Sequence, residues 1–312
     1  MSSASSRITS RAVALSTASC GYVVTVAMPS VWWRSVVNAA GFAPAAVLGQ
    51  HGRRLQDAGD RATQEAKAES AALLVDEVFP VQPVRQWVLS FPYPLRFLFA
   101  SRPEIMGQVL GVVYRCIATH LIKKAGFSCT TARTGAVTLI QRFGSALNLN
   151  VHFHMLFLDG VYVDGANGSR IRFRWVKAPT SAELAHLTHT IAHRVGRFLE
   201  RQGFLERDAE NSYLSEELFE AGPLDQLLGH SITYRIAVGP HAGRKVFTLQ
   251  TLPDCNDPFV DDVGKVAGFS LHAGVAAKAD ERKKLERLCR YIARPAVSEK
   301  RLSLLSNGKV CY

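Results

Sequence analysis

The chain has 312 residues, 47% of them hydrophobic, which allows one large domain or two ordinary ones with an ample core. Lysine and arginine (37) outnumber aspartate and glutamate (26); the net charge of +11 and a pI near 9.6 point to a polyanionic partner, most often nucleic acid. Six scattered cysteines, with no C-x-x-C pair and no Cys/His finger spacing, argue against a structural zinc site and a disulfide framework, so reduced thiols in a cytoplasmic protein are expected.

Residues 1–65 show no sustained period. The uncharged run from Ala12 to Trp33 follows Arg7 and Arg11 in the manner of a signal peptide, but Ser, Thr, Gly and Pro dilute it and nothing after it reads as secreted. With the polar stretch from Gly49 to Glu65 it is read as a poorly ordered leader, residues 1–67, and no membrane partner is expected. From Ala66 to Val78 the spacing of Ala71, Leu74, Val75 and Val78 predicts a helix. Gln86 to Phe91 reads as a strand ended by Pro92 and Pro94. Pro103 to Lys124 is a long helix, its apolar positions at helical spacing, closed by a cationic last turn and Gly126.

Gly135 to Phe143 and Leu149 to Leu158 are predicted strands with Gly144 and Ser145 opening the turn between them. Val161 to Val163 and Ile171 to Val176 are shorter strands around Asp164 to Gly168. Ser181 to Gln202 is a helix and Ser212 to Leu228 an irregular helical stretch. Ser231 to Ala237 and Lys245 to Leu252 look like strands, and Asp280 to Ile292 is the last strong helix before Pro295. This order specifies the α+β class, a mainly antiparallel sheet with helices packed on one face.

The most informative stretch is Asn148 to Gly160, which holds His152-Phe153-His154. A strand sends alternate side chains to opposite faces, so the two imidazoles share a face with Asn148 and Asn150, while Leu149, Val151, Phe153, Met155 and Phe157 form an apolar one. Gln141, eleven residues before His152 on the preceding strand, would face Asn150 or His152 across a tight hairpin and project with both histidines. Two imidazoles and an amide oxygen leave positions open for water and a phosphate oxygen, which suits Mn²⁺ or Mg²⁺ better than a closed zinc site. His186, His189 and His193 read as a partly solvated helical stripe, and His272 as a group supporting the ligands from behind.

On the last helix Leu285, Leu288, Cys289 and Ile292 make a buried stripe. Tyr291 falls at its edge, on the flank of Lys284 and Arg287, cations able to hold a phosphate. That is the setting a tyrosine nucleophile attacking a phosphodiester needs; the alternative is an amphipathic boundary tyrosine.

Trp87-Val88-Leu89-Ser90-Phe91-Pro92, Gln141 with His152-Phe153-His154, and Leu288 to Pro295 around Tyr291 occur in the order that resembles the HUH-type single-strand DNA nucleases. From about Ala68 to the C-terminus the chain resembles the rolling-circle transposases of common-region insertion elements. The resemblance implies an HUH-nuclease-like core over residues 68–312. It also implies a divalent ion (Mg²⁺ or Mn²⁺) on His152, His154 and Gln141, with Tyr291 as nucleophile. Single-stranded DNA at element ends is the implied partner, with no small-molecule substrate, and Arg142, Lys284, Arg287, Arg290 and Arg294 are the expected backbone contacts. A DNA-binding remnant, a phosphodiesterase without strand transfer, and a relaxase or replication initiator of the same chemistry are the alternatives.

Three departures stand out. Two-tyrosine relatives carry a second tyrosine where this chain has Arg287, so a single-tyrosine mechanism is implied. Residues 1–67 hold only Cys20 where relatives have a cysteine-rich module, and relatives continue beyond the position of Tyr312. A rearranged N-terminus, translated from a shifted frame, and a shortened C-terminus are therefore expected.

Overall fold

The structure, a computed structural model, describes residues 12–16, 23–27, 71–72, 74–144, 148–163, 171–208, 231–250, 263–292, 303–304 and 310–311. The expected helical stretch from Ser212 to Leu228, the Asp164 to Gly168 turn and Arg294 lie outside the described residues.

Strands β1 (Ala12–Ser16) and β2 (Val23–Ala27) come first. They fall within residues 1–67, the segment expected to be a poorly ordered leader. They are short runs, Ala-Val-Ala-Leu-Ser and Val-Val-Thr-Val-Ala, and β2 pairs antiparallel with β5 below. A five-residue π-helical turn at Leu74–Val78 replaces the regular helix expected there. Next come β3 (Val84–Ser90), α1 (Tyr93–Ser101) and α2 (Pro103–Lys124). Helix α2 matches its expected bounds: Pro103 opens it where no N–H is needed, and Gly126 at φ 82° leaves it in the left-handed region. It is long and apolar enough to cross a membrane, but its apolar positions, Ile105 to Ile122, pack into the core.

Then follow β4 (Ala132–Arg133), β5 (Ala136–Phe143), β6 (Leu149–Leu158), β7 (Gly160–Val163), β8 (Arg172–Trp175) and α3 (Ser181–Arg201). A capping box starts α3: Glu183 N donates to Thr180 Oγ1 at 3.2 Å and Thr180 N donates to Glu183 Oε2 at 2.7 Å. The remaining elements are β9 (Leu205–Arg207), β10 (Ser231–Ile236), β11 (Lys245–Gln250), β12 (Val263–Val266), β13 (Phe269–Ala277) and α4 (Arg282–Ile292). Two two-residue strands, Ser303–Leu304 and Val310–Cys311, pair with each other.

The main sheet runs β1-β2-β5-β6-β3-β13-β12, with every neighbour antiparallel, so the class is α+β. One face carries Trp87, Leu89, Phe153, Met155, Phe157, Phe269 and Leu271 and is covered by α1, α2 and α3. Close approach is needed there: a Cβ on Gly264 of β12 would meet the Leu184 backbone of α3 at 2.5 Å. The long helices thus lie on one face, and α4 adds a smaller layer on the other. Leu285, Cys289 and Ile292 of α4 close over Val84, Val137, Leu139, Leu156 and Leu158, joined by Val75 and Phe79 of the π-turn. Arg282 ties that turn to α4 by donating to the carbonyls of Val75, Phe79 and Pro80.

Candidate active site

Strand β6 changes character along its length. Val151, Phe153, Met155 and Phe157 point to the long helices, and Asn150, His152 and His154 to the other face. Beyond His154 that second face turns apolar, because Leu156 and Leu158 are covered by α4. Only the first half of the strand therefore presents polar groups, at the rim of the α4 layer. His154 is itself buried, 7% exposed.

The ladder places the expected ligands together. Gln141 of β5 stands directly opposite His152, and His152 stands opposite Ser90 of β3. Directly paired residues share a face, so Gln141, His152 and Ser90 form one row, which Ser270 of β13 extends. In the next row His154 stands opposite Val88, and Val88 opposite His272. His272, expected just before the last helix, is thus an exposed strand residue on this face, within 3.2 Å of Ser270 Oγ. The His152 and His154 rings are 4.8 Å apart, edge to face.

Each histidine has its Nδ1 engaged. His152 Nδ1 donates to the Asn150 carbonyl at 2.6 Å, which leaves a lone pair on Nε2. His154 Nδ1 lies 2.8 Å from the side-chain amide of the buried Gln86. A contact between an amide and a ring nitrogen can run either way. With the Gln86 oxygen turned to the ring, His154 donates from Nδ1 and frees Nε2 in the same manner. Burial lowers the His152 pKa; the Asn150 carbonyl pulls the other way and Arg96 adds to the lowering. Burial, helped by His152, pulls His154 down to about 4. Both rings are therefore neutral near pH 7, the form that ligates metal.

Gln141 Nε2 donates to the carbonyl oxygen of Ile292 at 2.8 Å, so its Oε1 is the atom left for a cation. Among the described residues no three His, Cys, Asp or Glu side chains lie close enough to hold an ion, so a divalent ion here would rest on His152, His154 and Gln141. The His152 Nε2 atom and one amide oxygen, with His154 Nε2 when the Gln86 oxygen faces its ring, would fit such an ion with open positions. The same hydrogen bond holds the end of α4 against β5, and Tyr291, 60% exposed, precedes Ile292.

The cations divide. Lys284 Nζ sits 3.2 Å from Glu281, and Arg290 pairs with Glu286 on the same helix; such exposed pairs are weak and open readily to a phosphate. Arg287 is exposed. Arg142 lies where the β5–β6 register slips, between Gln141 and Phe143, and its Nε is buried with no hydrogen-bond partner among the described residues. His186, His189 and His193 lie along α3, His186 exposed and the other two partly so, as a solvated stripe requires.

Gln86 is the site residue that sequence reasoning missed. It lies inside the first motif strand, and a polar residue between Arg85 and Trp87 was the available signal. Residues 135–312 match the model of the family described as "Putative transposase", a span that includes Gln141, His152, His154 and Tyr291. No curated protein and no solved structure matches the chain.

Proposed function

Because this chain belongs to that transposase family, whose model covers more than half of it, we propose that it nicks and transfers single-stranded DNA through a 5′-phosphotyrosine on Tyr291. The observation that carries this reading is the Gln141–Ile292 hydrogen bond, which couples the strand pair bearing both histidines to the helix bearing the tyrosine. In the rolling-circle version, His152, His154 and Gln141 hold a divalent ion. When bound, that ion neutralises charge on the scissile phosphate.

The chain's own groups do the rest. Tyr291 Oη forms a bond to phosphorus, the bond from phosphorus to the 3′ oxygen breaks, the phenol proton leaves to solvent, and the departing 3′ oxygen takes one up. One phosphate ester replaces another, so the bond energy is kept for rejoining and no oxidant or nucleotide is consumed. Arg287, with Lys284 and Arg290 released from their carboxylates, holds flanking phosphates; exposed cations on one helix suit a ligand of regular negative charge. Arg142 and Arg294 are further proposed backbone contacts.

A labelled single-stranded oligonucleotide incubated with the protein and Mn²⁺ should give a covalent adduct on a denaturing gel. Tyr291→Phe should abolish the adduct with binding nearly intact, and His152→Ala should remove metal-dependent cleavage. Adduct formation by Tyr291→Phe would refute the nucleophile. Binding with no adduct from the wild-type chain would leave a DNA-binding remnant.

A further inference from the structure

Strand β3 ends at Ser90, opposite His152, and after Phe91 and Pro92 the chain turns into α1. The first turn of α1 therefore begins three residues along the chain from the strand end that faces His152. Three features of that turn stand out. Tyr93 is 61% exposed although it is a large aromatic at the start of a helix whose Leu95 and Phe99 are buried. Its ring is held edge to face by Phe97, centroids 5.1 Å apart, and Phe97 is backed by His241 at 5.2 Å. Arg96 is anchored by donating from Nε to the Phe91 carbonyl at 2.8 Å, near enough for its charge to bear on His152.

An exposed aromatic ring fixed in orientation, beside a cation, at the rim of a phosphodiester site, is what an unpaired base requires. Every base has a face to stack, and the cation meets the adjoining phosphate. We infer that Tyr93 is a stacking platform for a base next to the scissile phosphate, with Phe97 fixing its ring and Arg96 holding the neighbouring backbone. This rests on the single-strand reading above. A strand still in duplex keeps its base faces covered, so the platform selects unpaired DNA.

Trp175 supplies the control. It is equally exposed, at 60%, but β8 joins the sheet system next to Gly160, at the opposite end of β6. Gly160 lies eight positions beyond His152, six of them along β6, so that part of the strand alone spans roughly 20 Å. General stickiness of exposed aromatics toward DNA would involve both rings, whereas a platform at the site involves Tyr93 alone.

The test measures anisotropy of a fluorescein-labelled oligothymidylate with the full chain in chelator, so that no metal contributes, alongside an abasic strand with the same backbone. Tyr93→Ala should weaken oligothymidylate binding roughly tenfold and leave abasic-strand binding unchanged. Tyr93→Phe, which keeps the ring, should bind as wild type does, and Trp175→Ala should have no effect. The inference is overturned if Tyr93→Ala binds normally, if it loses equally on the abasic strand, or if Trp175→Ala loses as much. Adduct formation by Tyr291 with Mn²⁺ is scored on the same preparations. Base-dependent binding without adduct overturns the nuclease reading alone, while adduct formation with a Tyr93→Ala variant that binds normally overturns the platform alone.

Discussion

The buried amide of Gln86 lies 2.8 Å from Nδ1 of His154, diagonally across two paired strands. With the Gln86 oxygen turned to the ring, this contact puts the proton on Nδ1 and leaves Nε2 for a cation. Gln86→Leu keeps the volume but removes the acceptor, and should weaken Mn²⁺ binding about 10- to 100-fold, read by titration calorimetry or the loss of free-ion paramagnetic signal. Gln86→Glu keeps an acceptor and should retain binding. Equal affinity for the Leu variant and wild type would sink this role.

Gln141→Ala removes both the candidate ligand and the bond to Ile292, and the rate of adduct formation should fall by more than tenfold. The stability cost should be small, about 1 kcal/mol, because one partly exposed hydrogen bond is lost. Denaturant midpoints measured beside the adduct rates separate the two effects. A large stability loss with unchanged chemistry would show that the bond serves only to hold α4.

Acid should destabilise the fold through His154. Burial, with His152 adding to it, holds the folded pKa at about 4, below the roughly 6.5 of an unfolded chain. As pH falls the unfolded state takes up the proton first, so the stability is present above about 6.5 and is lost as pH drops toward 4. The loss is at most about 3 kcal/mol, from the size of that difference. His152, also lowered by burial, adds to the loss in the same direction. Urea midpoints between neutral pH and pH 4.5 should show this slope in wild type and a flatter one in His154→Asn; identical slopes would remove the assignment.

Arg85 and Asp159 form a buried two-pronged pair, with both nitrogen–oxygen distances 2.8 Å, and Arg85 Nη1 also donates to the Ala273 carbonyl at 2.9 Å. This joins β3, the end of β6 and β13. Asp159→Ala strands a buried guanidinium and should cost about 3–5 kcal/mol in urea unfolding. A cost below 1 kcal/mol would mean that water reaches Arg85.

Much of the fold was legible because its signals are local. Helix α2 has the bounds that Pro103, the cationic last turn and Gly126 dictate, and β6 has those set by its period-two alternation. Strand β13 was not legible, although it lies inside the sheet against β3, because Ala273, Gly274, Ala276 and Ala277 carry little strand signal. Helix α1 was hidden by Pro92 and Pro94, which mark the end of a strand as readily as the first turn of a helix.

For the site, the sequence by itself determined that His152 and His154 share a face and that Tyr291 borders an apolar stripe, since both follow from the fixed periods of strand and helix. Only the tertiary structure decided that Gln141 stands opposite His152 rather than Asn150, that Gln86 reaches His154, and that α4 returns to the histidine face and bonds Gln141 through Ile292. Strand register and the face a distant helix covers are set by which apolar surfaces close over one another. Val137, Leu139, Leu156 and Leu158 needed Leu285, Cys289 and Ile292 to bury them, and that pairing is a property of the folded chain, with no counterpart in any local period.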